Sequence, residues 1–381
     1  MENGRGVTAA FVSCRRSMSL HAQQIPAPKS SPPDNGSGNV LDFHLDASKI
    51  LAPAAGGENE AFAPLPLRNL DAGTKIPFNV FIKCKTQDQD QPQFMLCCPK
   101  GQVFLRDWHR KLKSLKVPWV YFPLQENEAV LNYLHFNLQD INPQNCCTDP
   151  DKAALILDAM LIWIQHFFLA EKFRTGSKLN MALDFIDLLF AFIKGSKAYL
   201  SFIVEIKHHD EVLFKHSLNV CTISLAFISY LGLTDREARF FGVGALLHDL
   251  GMTQVPRPVL QKPGRLDEAE MKQIMRHPLQ SYYMLKHLSG IPKDPILMVQ
   301  QHHENGDGSG YPMGLPGSST HPWAKILRII DSYESVTSGR PWRPAKSPKE
   351  TLWDMRHEWE KSQVYDPALL RAFIKFLGDG N

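Results

Sequence analysis

The spacing of apolar positions changes several times along the chain. In 75–84 and again in 92–99, apolar residues crowd into short runs on either side of the polar stretch 86–91, which predicts two strands and a turn. Residues 104–117 change to helical spacing, and 118–124 return to a strand. These elements make a small mixed α/β domain over 67–125, and a unit of roughly 60 residues would be marginal alone. Beyond it the pattern is almost continuously helical. Leu155, Met160 and Ile164, then Leu183, Ile186, Leu189, Phe190 and Ile193, recur at three- and four-residue intervals. Residues 126–200 read as a helical connector and 201–381 as a helical C-terminal domain. Residues 1–66 are instead rich in Pro, Ser, Gly, Ala and Asn, the composition of a flexible leader. The predicted fold class is mainly α, with a small α/β input domain ahead of an all-helical domain.

Composition narrows the function classes. With 44% hydrophobic and 21% charged residues, the 381-residue chain is ordinary for a globular protein. A formal charge of +3 and the lack of a basic stripe or aromatic platform argue against nucleic-acid binding. Seven cysteines without framework spacing predict reduced thiols in a cytoplasmic protein. Cys97-Cys98 and Cys146-Cys147 are adjacent pairs, which does not suit a zinc ribbon. The most apolar stretch, 153–170, contains Asp158, Gln165 and His166, so it reads as a half-buried amphipathic helix and not as a membrane span. The first 17 residues lack the pattern of a signal peptide.

Candidate metal ligands accumulate in the C-terminal part: His216, the pair His248-Asp249, His277, the pair His302-His303, and Asp331. Most lie within or beside apolar helical runs, and Asp331 directly follows Leu327-Arg328-Ile329-Ile330. A carboxylate there is costly to bury unless it is paired or coordinated. One buried histidine is ordinarily a hydrogen-bonded core residue; five such sites, two of them doublets, point to metal. Imidazole and carboxylate donors without cysteine suit iron, manganese, zinc, nickel or cobalt. Seven ligands exceed the needs of one open ion and suit two ions sharing a carboxylate, with Asp249 as the natural bridge. Two ions can hold a hydroxide between them and clamp a phosphate for in-line displacement.

The pair His248-Asp249, with His216 upstream and Asp331 downstream, resembles the HD superfamily of metal-dependent phosphohydrolases. The segment 302–312, with its His-His-Glu and Asp-Gly-x-Gly-Tyr-Pro, and the segment 331–343 resemble the HD-GYP family of bacterial cyclic-di-GMP phosphodiesterases. The resemblance covers about residues 205–370. It implies an all-helical HD-GYP domain holding two divalent ions per chain, with iron or manganese favoured. His216, His248, Asp249 and Asp331 would bind one ion, and Asp249, His277, His302 and His303 the other. Asp249 and His248 would be central to catalysis. Arg340, Arg343 and Tyr311 would contact cyclic-di-GMP, which would be cut to the linear dinucleotide pGpG and onward to GMP. Guanidinium forks suit phosphate oxygens. Tyr311 either stacks on a guanine or plugs the loop. Glu304 is expected to orient a ligand histidine, and Asp307 to cap the turn.

Two positions depart from the family pattern. Met252 stands where many members carry a lysine able to stabilise phosphate charge. Val212 stands where some members have a glutamate for a third metal; Asp210 and Glu211 precede it, and two metals are expected. Met252 keeps open a weak or inactive module that binds cyclic-di-GMP or a diguanylate cyclase (GGDEF) protein. An HD hydrolase of another cyclic dinucleotide or phosphoester is the third reading. The helical connector suggests a homodimer by analogy with other output domains.

Overall fold

The computed structural model describes residues 41–42, 62–85, 93–139, 150–170, 174–195, 212–262, 264–339 and 343–379. They fall into two compact units that divide between Ile141 and Asn142. The N-terminal unit contains a mixed sheet: β1 (Leu41–Asp42), β2 (Phe62–Pro66), β3 (Val80–Lys85), β4 (Gln93–Cys98) and β5 (Trp119–Pro123). β2 pairs antiparallel with β5, from Phe62 opposite Pro123 to Pro66 opposite Trp119. β3 pairs antiparallel with β4 and meets β5 at Phe81 and Tyr121. Two helices, α1 (Arg106–Ser114) and α2 (Asn127–Gln139), belong to the same unit. In β5, Val120 and Phe122 are buried while Trp119 and Tyr121 are half-exposed, the two-residue period of a sheet with one face on a core.

Two boundaries differ from those the sequence suggests. Phe62–Pro66 falls in the range read as a leader, yet it is a paired strand with Leu65 fully buried. The range read as a connector is divided: α2 buries Val130, Leu131 and Leu134 in the N-terminal unit, and the following helices belong to the C-terminal unit. The remainder of the predicted leader lies outside the described residues, apart from β1.

The C-terminal unit is helical among the described residues. Its main helices are α3 (Pro150–Leu169), α4 (Gly176–Gly195), α5 (Val212–Tyr230), α6 (Asp235–Leu247), α7 (Glu268–Ile274), α8 (His277–Leu285), α9 (Lys293–Gln301), α10 (Pro322–Thr337), α11 (Pro348–Ser362) and α12 (Pro367–Asp379). α5 packs against α3, α4, α6, α10 and α12, and Val220, Leu225, Phe227 and Ile228 on it are buried. Capping boxes start three helices: Thr234 with Glu237 for α6, Asp267 with Glu270 for α7, and Ser347 with Glu350 for α11. Each supplies acceptors to N–H groups left free in the first turn. One helix, Asp151–Leu169, is long and apolar enough to cross a membrane by length and composition. Here Ile156, Trp163, Ile164 and Phe167 on it are fully buried, so the protein uses it as a core helix. The four cysteines among the described residues are free thiols.

Candidate metal centre

Five helices and one tight turn deliver the seven candidate ligands to one place. His216 lies on α5, and Asp331 on α10, which packs against it. His248 caps the C-terminus of α6, and Asp249 begins the 3-10 turn Leu250–Gln254. His277 is the first residue of α8, and His302 caps the C-terminus of α9. The pair 302–303 therefore sits where the helix ends. There the fixed angular step between helical neighbours no longer applies, and the two rings lie 4.2 Å apart.

The histidines share a way of being held. His248, His277 and His302 each donate from Nδ1 to the carbonyl three residues earlier: Ala245 at 2.8 Å, Ile274 at 2.7 Å and Val299 at 2.6 Å. A carbonyl only accepts, so Nδ1 carries the proton and Nε2 of the neutral ring keeps its lone pair. In His216 the Nδ1 faces Glu334 Oε2 at 2.5 Å, with the same effect. Glu334 Oε1 accepts from Asn219 Nδ2 at 2.8 Å and from Ser338 Oγ at 2.5 Å.

The lone pairs converge with the two aspartates. Asp249 Oδ1 is 3.1 Å from His277 Nε2, and its Oδ2 is 3.6 Å from both His216 Nε2 and His248 Nε2. Asp331 Oδ1 is 3.1 Å from His216 Nε2, and its Oδ2 is 3.8 Å from His303 Nδ1. Three donor sets result: His216, His248 and Asp331; His248, Asp249 and His302; and His277, His302 and His303. These donors fit cations on two counts. His277 Nε2 and His302 Nε2 lie 3.2 Å apart with both Nδ1 protons already committed, so two lone pairs face each other. His248 Nε2 is buried without a hydrogen-bond partner. A positive ion satisfies both arrangements, and the all-nitrogen-and-oxygen donor set suits a divalent transition metal.

Electrostatics keep the donors ready. Burial, followed by the neighbouring rings His248 and His277, lowers the His302 pKa to about 3. Burial also lowers His248, and burial with His302 beside it lowers His303 well below the usual imidazole range. For Asp331, burial pushes upward but is outweighed by the His216 hydrogen bond and the surrounding imidazoles, so it stays ionised. Asp249 follows the same balance, with neighbouring His248 the largest of the influences that oppose burial.

The glycine-rich loop folds over His303. The Tyr311 ring stacks on that of His303 at 4.6 Å and 26°, and the Tyr311-Pro312 peptide is cis. Gly310 permits this path, since a Cβ there would lie 2.5 Å from both the His303 carbonyl and Glu304 Cα. Asp307 accepts from Ser309 N at 3.0 Å and caps the turn. Glu304 does something the sequence did not suggest: its two oxygens accept the backbone N–H groups of Met313 and Leu315, each at 2.8 Å. It closes the loop on itself, and no histidine contact accompanies this among the described hydrogen bonds. Arg343 donates to the carbonyls of Ser335 and Val336 at the end of α10, a cation at a helix C-terminus. Arg340 lies outside the described residues, as do Asp210 and Glu211. Met252 follows Asp249 in the 3-10 turn, its N–H on the Asp249 carbonyl at 2.9 Å.

The chain is similar to known proteins over its C-terminal part. A family model described as an HD domain matches residues 201–369. A cyclic di-GMP phosphodiesterase of Pseudomonas aeruginosa is 34% identical over 197 residues, 52% of this chain and 47% of that protein. Over this C-terminal stretch the chain is similar to HD-domain phosphodiesterases. A 3'3'-cGAMP-specific phosphodiesterase of Vibrio cholerae is 35% identical over 161 residues, 41% of this chain and 37% of that protein. The chain thus spans less than half the length of these curated relatives. A solved HDG"Y"P protein from Bdellovibrio bacteriovorus has the same fold, with a TM-score of 0.60 at 20% identity, covering 84% of this chain and all of that one.

Proposed function

We propose that this chain belongs to the HD-GYP family and is a metal-dependent phosphodiesterase that hydrolyses cyclic-di-GMP to pGpG and then GMP. The observation that carries this reading is Asp249, whose two oxygens face different donor sets, His277 on one side and His216 with His248 on the other. In this reading His216, His248, Asp249 and Asp331 hold one ion, and Asp249, His277, His302 and His303 hold a second. Bound divalent ions supply Lewis acidity and an activated water. The chain itself orients the donors through the Nδ1 bonds, and burial favours the neutral rings of His248, His302 and His303. Tyr311 caps the His303 ring and shapes the pocket on the side of the glycine-rich loop. The likeness to a 3'3'-cGAMP-specific enzyme favours a second substrate, the mixed cyclic dinucleotide.

The test is turnover of both cyclic dinucleotides by metal-loaded protein, with products resolved by chromatography and metal counted on the same sample. Linear product from cyclic-di-GMP, lost in Asp249→Asn and His248→Ala, is the expected result. A fully loaded protein that cleaves neither compound refutes the reading. Cleavage of 3'3'-cGAMP alone moves the chain to the second substrate.

A further inference from the structure

Arg328 lies on α10, one turn before Asp331. Its guanidinium is held from three sides. Nε donates to Asn305 Oδ1 in the glycine-rich loop at 3.1 Å, Nη1 donates to Ser332 Oγ, and the group lies 5.5 Å from the centre of the Tyr365 ring. Asn305 itself donates to Ser309 Oγ at 3.0 Å, so the arginine is tied to the loop that carries Tyr311. Tyr365 donates to Glu358 at 3.2 Å.

What this guanidinium lacks is a direct ion pair, since Asp331 and Glu358 act on its charge only from further away. Among the described residues no carboxylate lies within ion-pair distance of it, whereas Arg239 and Arg356 both have one. The described hydrogen bonds use its Nε and Nη1 and not its Nη2, and the residue is half-buried. Burial opposes its charge, but Tyr365, Asp331, Glu358 and Tyr311 around it outweigh that and favour the charged form. Fixing the guanidinium with an amide, a hydroxyl and an aromatic face leaves its outer edge available for two parallel bonds to an anion. A phosphate oxygen pair matches that fork.

We propose that Arg328 recognises a phosphate of the substrate at the edge of the metal pocket, on the Asp331–His303 side. The proposal rests on the phosphodiesterase reading only for the identity of that phosphate, a diester of a cyclic dinucleotide. It also gives the pocket a cation from α10 in a chain that has Met252 where a lysine is common in the family. Arg328 is then a substrate-binding residue that the motifs do not mark, lying before Asp331, whereas Arg340 and Arg343 lie after it.

The experiment uses the full chain loaded with manganese, as wild type, Arg328→Lys and Arg328→Met. KM for each cyclic dinucleotide is measured with the affinity for inorganic phosphate by titration calorimetry, alongside metal content and Tm. Losing a charge-assisted bidentate contact should weaken phosphate binding and raise KM by about 10-fold or more in Arg328→Met. Arg328→Lys, which keeps the charge but not the fork, should fall between. Metal content should stay at the wild-type level in both. Unchanged KM and phosphate affinity in the two variants overturn the proposal, as does a loss that follows lost metal in the lysine variant. If the methionine variant does not fold, the lysine variant decides on the same criteria. If wild type cleaves neither dinucleotide but binds phosphate through Arg328, the proposal stands and the phosphodiesterase reading fails.

Discussion

Replacing Glu334 by Gln separates metal binding from folding. Glu334 Oε1 already accepts from Asn219 and Ser338, so in the amide that position must remain the oxygen. The new NH2 then occupies the place of Oε2, 2.5 Å from His216 Nδ1. Two donors cannot face each other, so His216 changes tautomer and carries its proton on Nε2. That proton points at Asp331 Oδ1, 3.1 Å away, and makes a hydrogen bond where a metal–nitrogen bond is wanted. The metal-free protein loses little, because every polar group still has a partner. Metal affinity at the set containing His216 should fall about 10- to 100-fold, the usual range for a lost orienting partner, or roughly 1.4–2.7 kcal/mol. Manganese titration calorimetry measures the affinity, and nitrogen chemical shifts of His216 in the metal-free protein report the tautomer. Glu334→Gln with wild-type manganese affinity refutes the argument, and so does an Nδ1-protonated His216 in the variant.

Three further outcomes follow from the same geometry. Gly251→Ala would place a Cβ against the His277 carbonyl and 2.7 Å from Ser281 N, forcing α8 away from the turn that carries Asp249. The 3.1 Å approach of His277 to Asp249 must then lengthen, and metal content should drop with Tm; wild-type metal content in this variant would contradict the packing argument. Glu304→Gln leaves one acceptor for two backbone N–H groups, so one of Met313 N and Leu315 N loses its partner, at a cost of about 1–3 kcal/mol measured by denaturant unfolding. An unchanged unfolding midpoint would mean that the loop does not depend on that carboxylate. Acid should destabilise the metal-free protein. His302 is held at about 3 in the folded state against 6.5 for a free ring, so the unfolded chain binds the proton first. Below pH 6.5 each such histidine therefore lowers stability by about 1.4 kcal/mol per pH unit until the folded pKa is reached. A Tm that is flat or rising from pH 6.5 to 4 would exclude this.

The ligand set was legible because its residue types are rare in apolar helical runs; the residues that support it were not. Glu334 sits three positions after Asp331, on the same side of α10, and that spacing is the one signal it gives. A glutamate in a helix normally faces water, and only the packing of α5 on α10 buries this one against His216 and Asn219. Glu304 beside two histidines suggested a partner for a ring. Its true partners lie nine and eleven residues further on, brought back by a loop reversal that no periodicity encodes. β2 was missed because Pro64 and Pro66 weaken it as a strand; it ends the strand order, and an edge strand tolerates proline. Helical spacing gave the helices of 126–200 but not their partners, which is why the unit boundary fell inside that range.

The positions of the ligands on their helices explain why this fold can gather so many donors around positive charge. His248 and His302 cap the C-termini of α6 and α9, where unpaired carbonyls give each helix a partial negative end. A cation held by these imidazoles would therefore meet two helix ends of favourable sign as well as Asp249 and Asp331. The same carbonyl ends, through Ala245 and Val299, take the Nδ1 protons that fix the rings. A histidine placed mid-helix would find that carbonyl already bonded within the helix. At a C-terminus the last four carbonyls have no intrahelical partner. The metal-facing lone pairs are thus set by where α6 and α9 stop, so lengthening either helix by a residue would remove the ring from its carbonyl and the donor from the cluster.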